Sequence, residues 1–128
     1  MVTLLLDTTV IVDAINGKKR REQFLADLID QRYVLACCPI NVTEVFAGMR
    51  PHEAKATEEF LRSLKFYEVP WETARLAGEL KNTWAKKGKT LSLPDVTVAA
   101  VALTRHLPLL TDNHKHFPMA ELQLVPLP

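Results

Sequence analysis

An α/β fold built on a central, mainly parallel sheet is what the sequence predicts, on three observations. Val2-Thr3-Leu4-Leu5-Leu6 is a short, almost wholly apolar run ending in Asp7, and such a run suits a central strand covered on both faces. Leu107-Pro108-Leu109-Leu110-Thr111-Asp112 repeats that form near the other end of the chain. Between the two, segments with helical spacing alternate with short apolar runs. In open parallel sheets ligands sit beyond the carboxyl ends of the strands, so Asp7 and the Thr111-Asp112-Asn113 stretch are expected to be neighbours at one functional edge.

Taken in order, Thr8 to Ile15 reads as a helix with a hydroxyl cap, ended by Asn16-Gly17. The charged stretch from Lys18 opens a second helix, with Phe24, Leu25, Leu28 and Ile29 at helical spacing. Tyr33 to Cys38 is the second strand, stopped by Pro39. Asn41 stands three residues before Glu44, the spacing of a capping box, and the helix that follows carries Val42, Val45, Phe46 and Met49 on one stripe with Glu44 nearly opposite. Glu44 is therefore not a core residue, and its place just after a strand end favours a site role over a capping one. Arg50-Pro51 interrupts the helix and Pro51 to Leu64 restarts it, giving a pair of helices that can act as an arm. Lys65 to Val69 is a short strand, and Pro70-Trp71 opens a helix carrying Leu76, Leu80 and Trp84 inward. Ser92-Leu93-Pro94-Asp95 begins a helix that is apolar from Val96 to Leu103 except for Thr97, as expected of one buried nearly all round, with Asp95 in its first turn. Arg105-His106 ends it, Pro108 to Thr111 is the next strand, and Gln123 to Val125 is a last edge strand.

The 128 residues are expected to form one domain, residues 1–128, with a core that needs no staples. Sixteen basic and fifteen acidic side chains nearly cancel, so attraction to a polyanion must come from local patches. Two such patches are Lys18-Lys19-Arg20-Arg21, and Lys86-Lys87 with Lys89. Cys37 and Cys38 are adjacent in a strand, point to opposite faces and cannot easily pair, which favours a reducing compartment. With no basic leader and no apolar run of membrane-spanning length, a soluble, cytoplasmic protein is expected.

Asp7, Glu44, Asp95 and Asp112 each fall at a strand end or a helix start. Carboxylates gathered on one sheet edge repel unless protons or cations intervene, and hard oxygen ligands suit Mg2+ or Mn2+. Water on such a metal is a nucleophile for phosphodiester hydrolysis. His114 and His116 are two apart and invite a zinc reading, but exposed loop histidines are the commoner case.

Four motifs in order, Leu6-Asp7-Thr8-Thr9-Val10-Ile11-Val12-Asp13, Asn41-Val42-Thr43-Glu44-Val45, Leu91-Ser92-Leu93-Pro94-Asp95-Val96-Thr97-Val98-Ala99-Ala100 and Leu109-Leu110-Thr111-Asp112-Asn113-His114-Lys115-His116-Phe117, closely resemble those of PIN-domain ribonucleases of the VapC toxin type. The resemblance spans almost the whole chain. It implies a three-layer α/β/α sandwich and a metal-dependent endoribonuclease using Mg2+ or Mn2+. It further implies the toxin half of a type II toxin–antitoxin pair, a homodimer and an antitoxin partner. Carried over by position, Asp7, Glu44 and Asp95 form the acidic triad, and Thr8 or Thr9, with Thr111, supply supporting hydroxyls. The fourth place falls to Asp112 or Asn113, as catalytic group or metal ligand. The arm from Glu44 to Leu64, with apolar positions expected to be exposed around Phe46, Met49 and Phe60, is where an antitoxin would grip. Lys86, Lys87 and Lys89 are candidate RNA contacts.

Other families fit less well. A haloacid-dehalogenase-type phosphatase needs an aspartate where Thr9 stands, and a receiver-like signalling module wants paired acids after the first strand. A catalytically silent PIN fold that only binds RNA is opposed by the intact triad. No base-reading motif is visible, so the RNA target stays open.

Overall fold

The computed structural model describes residues 1–128. Five strands, β1 (Thr3–Leu6), β2 (Val34–Cys37), β3 (Lys65–Phe66), β4 (Leu109–Leu110) and β5 (Leu124–Val125), form one sheet in the order β3-β2-β1-β4-β5. Every neighbouring pair is parallel. Six α-helices connect and cover them: α1 (Thr8–Ile15), α2 (Arg21–Asp30), α3 (Pro39–Gly48), α4 (Ala54–Ser63), α5 (Trp71–Lys86) and α6 (Leu93–Arg105).

The apolar runs are continuous because the central strands are buried on both faces. Leu4 and Leu6 of β1 pack with Leu35, Cys37 and Leu110 under α1, α2 and α4, while Leu5 packs with Ala36 and Leu109 under α5 and α6. Each of these leucines is under 5% exposed, so each contributes about 1.5–3 kcal/mol relative to an exposed position. The result is a sheet between two helical layers, the α/β/α sandwich expected from the sequence. Cys37 and Cys38 do fall on opposite faces, both buried and free, and burial above all pushes each thiol up to about 11.

β1 and β4 are adjacent, with Leu5 opposite Leu109 and Leu6 opposite Leu110. The Asp7 amide extends the pairing by donating to the Leu110 carbonyl at 3.0 Å. This ladder brings Asp7 and Thr111, 104 residues apart in sequence, to one edge.

Several local expectations are corrected. Helix α1 is capped by the Asp7 carboxylate, which accepts from the Thr8 amide, rather than by a hydroxyl. Helix α2 starts at Arg21, because Lys19 and Arg20 adopt left-handed backbone at φ 55° and 56° and a helix cannot run through them. Asn41 is not an N-cap paired with Glu44: with Pro39 opening α3, the cap is Cys38 and Asn41 occupies the third helical position. The third strand shrinks to Lys65–Phe66 before the chain leaves the sheet, Tyr67 still donating to the Cys37 carbonyl at 2.9 Å. The arm is a 3₁₀ turn at Pro51–Glu53 followed by α4, and its three apolar landmarks are half-buried and face different ways. Met49 lies beside Val12 and Ile15, Phe46 beside Leu61, Leu64 and Phe66, and Phe60 beside Leu25 and Ile29.

Candidate active site

Asp7 is 4% exposed at the end of β1. Its Oδ1 accepts from the Thr8 amide at 2.8 Å, and its Oδ2 accepts from the Thr111 hydroxyl at 2.8 Å and the Thr9 hydroxyl at 3.3 Å. Burial, opposed by the Thr111 bond and reinforced by the charge of Asp95, pushes the Asp7 carboxyl above its usual range. A carboxylate has about four lone-pair positions, so these three donors leave one on Oδ1 for a further electrophilic partner.

Glu44 is positioned through a chain of directed hydrogen bonds. Asn41 is fully buried; its Oδ1 accepts from the Cys38 amide at 2.8 Å, which leaves its Nδ2 to donate to the Thr8 hydroxyl at 2.9 Å. That fixes the Thr8 hydrogen toward Glu44 Oε1, 2.7 Å away. Thr8 thus binds Asp7 through its backbone and Glu44 through its side chain. The role of Asn41 was legible in principle: Pro39 marks the first helical residue, which makes position 41 the first inward-facing polar group.

Asp95 lies in the first turn of α6, whose cap Ser92 accepts from the Asp95 amide at 3.2 Å. The loop after β4 returns to it, placing His116 Nδ1 3.3 Å from Asp95 Oδ2. His114 and His116 do not converge with Asp112 on a common centre, since no three His, Cys, Asp or Glu side chains close to ligating distance.

The end of β4 splits the two candidates for the fourth position. Asn113 turns toward Asp7: its amide N donates to the Thr111 hydroxyl at 2.9 Å and its Nδ2 to the Thr9 hydroxyl at 3.2 Å. Asp112 instead pairs with Lys19 and Arg21, each 3.4 Å from Oδ2. Burial works to raise its carboxyl, but the hydrogen bonds and charges of Lys19 and Arg21 outweigh it and hold the group below the usual range. Lys19 also stands 3.6 Å from Asp13, and the buried Arg21 guanidinium donates to the Pro128 carbonyl at 3.0 Å. Arg21 was not legible in the sequence, because its partner lies 91 positions away and no local pattern marks a buried arginine.

Helices α5 and α6 are antiparallel, with Thr73 and Thr104 hydroxyls paired at one end and Lys81 Nζ donating to the Leu91 carbonyl toward the other. Lys86, Lys87 and Lys89 therefore sit at the end from which α6 delivers Asp95. Lys87 Nζ lies 4.5 Å from the Trp84 ring centre.

The donor set fits a hard divalent cation in chemistry. Asp7 and Asp95 are close enough for one charge to raise the other's proton affinity, and a cation between them would offset that repulsion. Mg2+ keeps several waters and is held through one or two carboxylates, so it does not require three side chains already closed on one point.

Residues 4–122 match the PIN domain family. Over 115 residues the chain is 32% identical to ribonuclease VapC19 of Mycobacterium tuberculosis, covering 90% of this chain and 92% of the relative. Over 123 residues it is 28% identical to ribonuclease VapC10 of the same organism, covering 96% and 91%. Among solved structures, VapBC2 from Rickettsia felis bound to a DNA fragment from their promoter aligns with a TM-score of 0.84 at 22% identity, covering 98% of both chains.

Proposed function

The chain belongs to the PIN-domain family, and on that premise we propose that it is an endoribonuclease of the VapC kind, the toxin of a type II toxin–antitoxin pair, requiring Mg2+ or Mn2+ for cleavage. The observation that carries this reading is the Thr8 junction, which holds Asp7 and Glu44 from one residue while Asp95 raises the proton affinity of Asp7. The receiver-like and catalytically silent alternatives are not favoured by these relatives.

Asp7, Glu44 and Asp95 would hold the cation. When bound, it supplies a water of lowered pKa and a positive centre for the charge that builds on phosphate. The protein's own groups set the geometry: Thr111 and Thr9 orient Asp7, Asn41 and Thr8 orient Glu44, and Ser92 fixes the turn that presents Asp95. Asn113 is the better supported occupant of the fourth position, since Asp112 is committed to Lys19 and Arg21. RNA must approach against this negative edge, and Lys86, Lys87 and Lys89 offer the compensating charge. An antitoxin partner, gripped on the α3–α4 arm, and a homodimer complete the proposal; the VapBC complexes that share this fold support the antitoxin partner. No helix is long and apolar enough to cross a membrane.

The test is cleavage of an end-labelled RNA pool by the purified chain after chelation and after adding back Mg2+ or Mn2+. The expected result is cleavage only with metal. Equal cleavage in excess chelator would overturn the metal requirement, and no cleavage under any of these conditions would overturn the nuclease reading.

A further inference from the structure

Asp7 and Glu44 are held by directed side-chain hydrogen bonds, whereas Asp95 is held through its backbone, its amide donating to the Ser92 hydroxyl at 3.2 Å. The one side chain at ion-pair distance from its carboxylate is the exposed His116. The segment that presents Asp95 has little of the core to hold it: of residues 85–95, Leu91 alone is buried. Helix α5 closes on Gly88 at φ 87°, where the Gly88 and Lys89 amides donate to the Ala85 and Trp84 carbonyls, each at 3.0 Å. Beyond that turn two anchors remain. The Leu91 side chain packs into the core beneath α5 and α6, and the Leu91 carbonyl accepts from Nζ of the half-buried Lys81, near the end of α5. Leu91 directly precedes the Ser92 cap of α6, so this bond ties α5 to the residue from which α6 starts. An ammonium–carbonyl bond is charge-assisted and of the stronger kind, and in a residue 3% exposed the carbonyl would find little water in place of the lysine.

We propose that Lys81 is a positioning residue for the metal site: by tying the Leu91 carbonyl to the body of α5 it fixes the start of α6, and so holds Asp95 in register with Asp7 and Glu44. The inference rests on the metal-dependent ribonuclease reading. A brace and a mere surface charge differ here in sign. A cation at the end of the helix pair that delivers Asp95 repels an incoming metal, so deleting its charge would by itself tighten metal binding. Deleting a brace loosens the third carboxylate and weakens metal binding.

The test is Mn2+ binding to the chain without RNA, followed by the loss of the free-ion EPR signal. Lys81→Met keeps an apolar stem and removes the donor, and it is expected to raise the Mn2+ Kd about tenfold, the lower end of what losing an outer-shell partner costs. Methionine is a good helix former, and position 81 is half-buried, so the fold survives the change. Lys81→Arg keeps a charged donor and is expected to stay within about threefold of wild type. Thr73→Val removes the hydroxyl pair with Thr104 at the opposite end of the same two helices; it is expected to lower Tm and leave the Mn2+ Kd unchanged. In cleavage assays the half-saturating Mn2+ of Lys81→Met moves with its Kd, while the rate at saturating metal approaches wild type. Lys81→Met binding Mn2+ as tightly as wild type, or more tightly, would overturn the proposal. So would an equal weakening in Lys81→Arg or in Thr73→Val, the second because it would assign the effect to packing of the helix pair at large. If wild type binds no Mn2+, the metal reading fails and the brace falls with it. If wild type binds Mn2+ and cleaves no RNA, the nuclease reading alone fails and the Kd comparison still decides the role of Lys81.

Discussion

The ends of β1 and β4 carry nearly the same letters, Leu-Leu-Asp-Thr-Thr and Leu-Leu-Thr-Asp-Asn, and lie side by side on one edge, yet their acids have opposite electrostatics. Asp7 is buried among hydroxyls with Asp95 nearby, and its proton affinity rises. Asp112 is flanked by Lys19 and Arg21, and its proton affinity falls. The difference comes from what the chain folds against each end. Thr111 and the start of α6 meet β1, while the left-handed turn before α2 brings two cations to β4. A strand-end aspartate is thus a candidate site by position, and its environment decides whether it is free to bind a cation or already serves as a counter-ion.

The largest effect that could break this contrast is in catalysis. Asp7→Asn, Glu44→Gln and Asp95→Asn are each expected to abolish RNA cleavage while metal-free thermal stability is kept or raised, since each removes one of a set of crowded like charges. Asparagine caps a helix about as well as aspartate, so α1 survives the first change. Asp112→Asn is expected to retain cleavage, because Asp112 Oδ2 faces Lys19 and Arg21. Gel-based cleavage assays decide it: near wild-type activity in any of the first three removes that residue from the site, and loss in Asp112→Asn with an intact fold would make it a fourth acid after all.

The supporting hydroxyls come next. Thr111→Val deletes the shortest side-chain bond to Asp7, and Thr8→Val deletes the bond to Glu44 and strands the buried Asn41 amide. Partners of this kind typically matter by roughly 10–100-fold in metal affinity or activity, read here as a raised metal requirement for cleavage. Thr8→Val is also expected to cost about 1–3 kcal/mol of stability in denaturant melts, from the amide left unsatisfied. If Thr8→Val matched wild type in both readouts, the Asn41–Thr8–Glu44 chain would carry no positioning role.

These hydroxyls also mark where legibility in the sequence stopped. The strands, their parallel pairing and the juxtaposition of β1 with β4 were readable because Leu4-Leu5-Leu6 and Leu109-Leu110 must be buried on both faces, and a period-free apolar run permits little else. The helix α6 was readable for the same reason. Asp7, Glu44 and Asp95 were readable as positions on an edge. The direction of the Asn41–Thr8–Glu44 bonds and the pairing of Asp112 with Arg21 were not, because both depend on partners 33 to 91 residues apart that leave no periodic trace. The capping box assigned to Asn41 and Glu44 failed through the same short-range spacing that suggested it, once Pro39 moved the helix start forward.

A gentler measure of the same contrast is the pH dependence of stability without metal. Asp7 has its folded pKa raised above the ordinary value of 3.8, so its contribution is fully present below that value and is lost as pH rises through the folded pKa. Asp112 has its folded pKa lowered below 3.8, so its contribution is present above that value and is lost as pH falls through the folded pKa. In chelator, with Tm followed upward from pH 3, Asp7→Asn is expected to gain on wild type and Asp112→Asn to fall behind it. Parallel curves for the two variants would erase the difference between the strand ends.

The smallest expected effect compares the cations that neutralise β4 with those at the end of α5 that make no ion pair. Lys19 is shared between Asp13 and Asp112, whereas Lys86 and Lys87 are exposed at the end of the helix pair that delivers Asp95. A cation already paired with carboxylates neutralises little additional phosphate charge, while one without an ion pair neutralises an RNA phosphate and releases the counterion condensed there. Replacing Lys86, Lys87 and Lys89 with alanine is therefore expected to weaken RNA binding across all sequences and flatten its salt dependence by roughly one unit of slope for each phosphate that is no longer neutralised. Lys19→Ala is expected to leave the slope nearly unchanged. Binding should be measured in Asp7→Asn, so that the RNA stays whole, with Mg2+ present and monovalent salt varied. An unchanged slope in the triple variant would return those lysines to the solvated surface, and a slope change in Lys19→Ala would move the RNA path to the β4 side of the site.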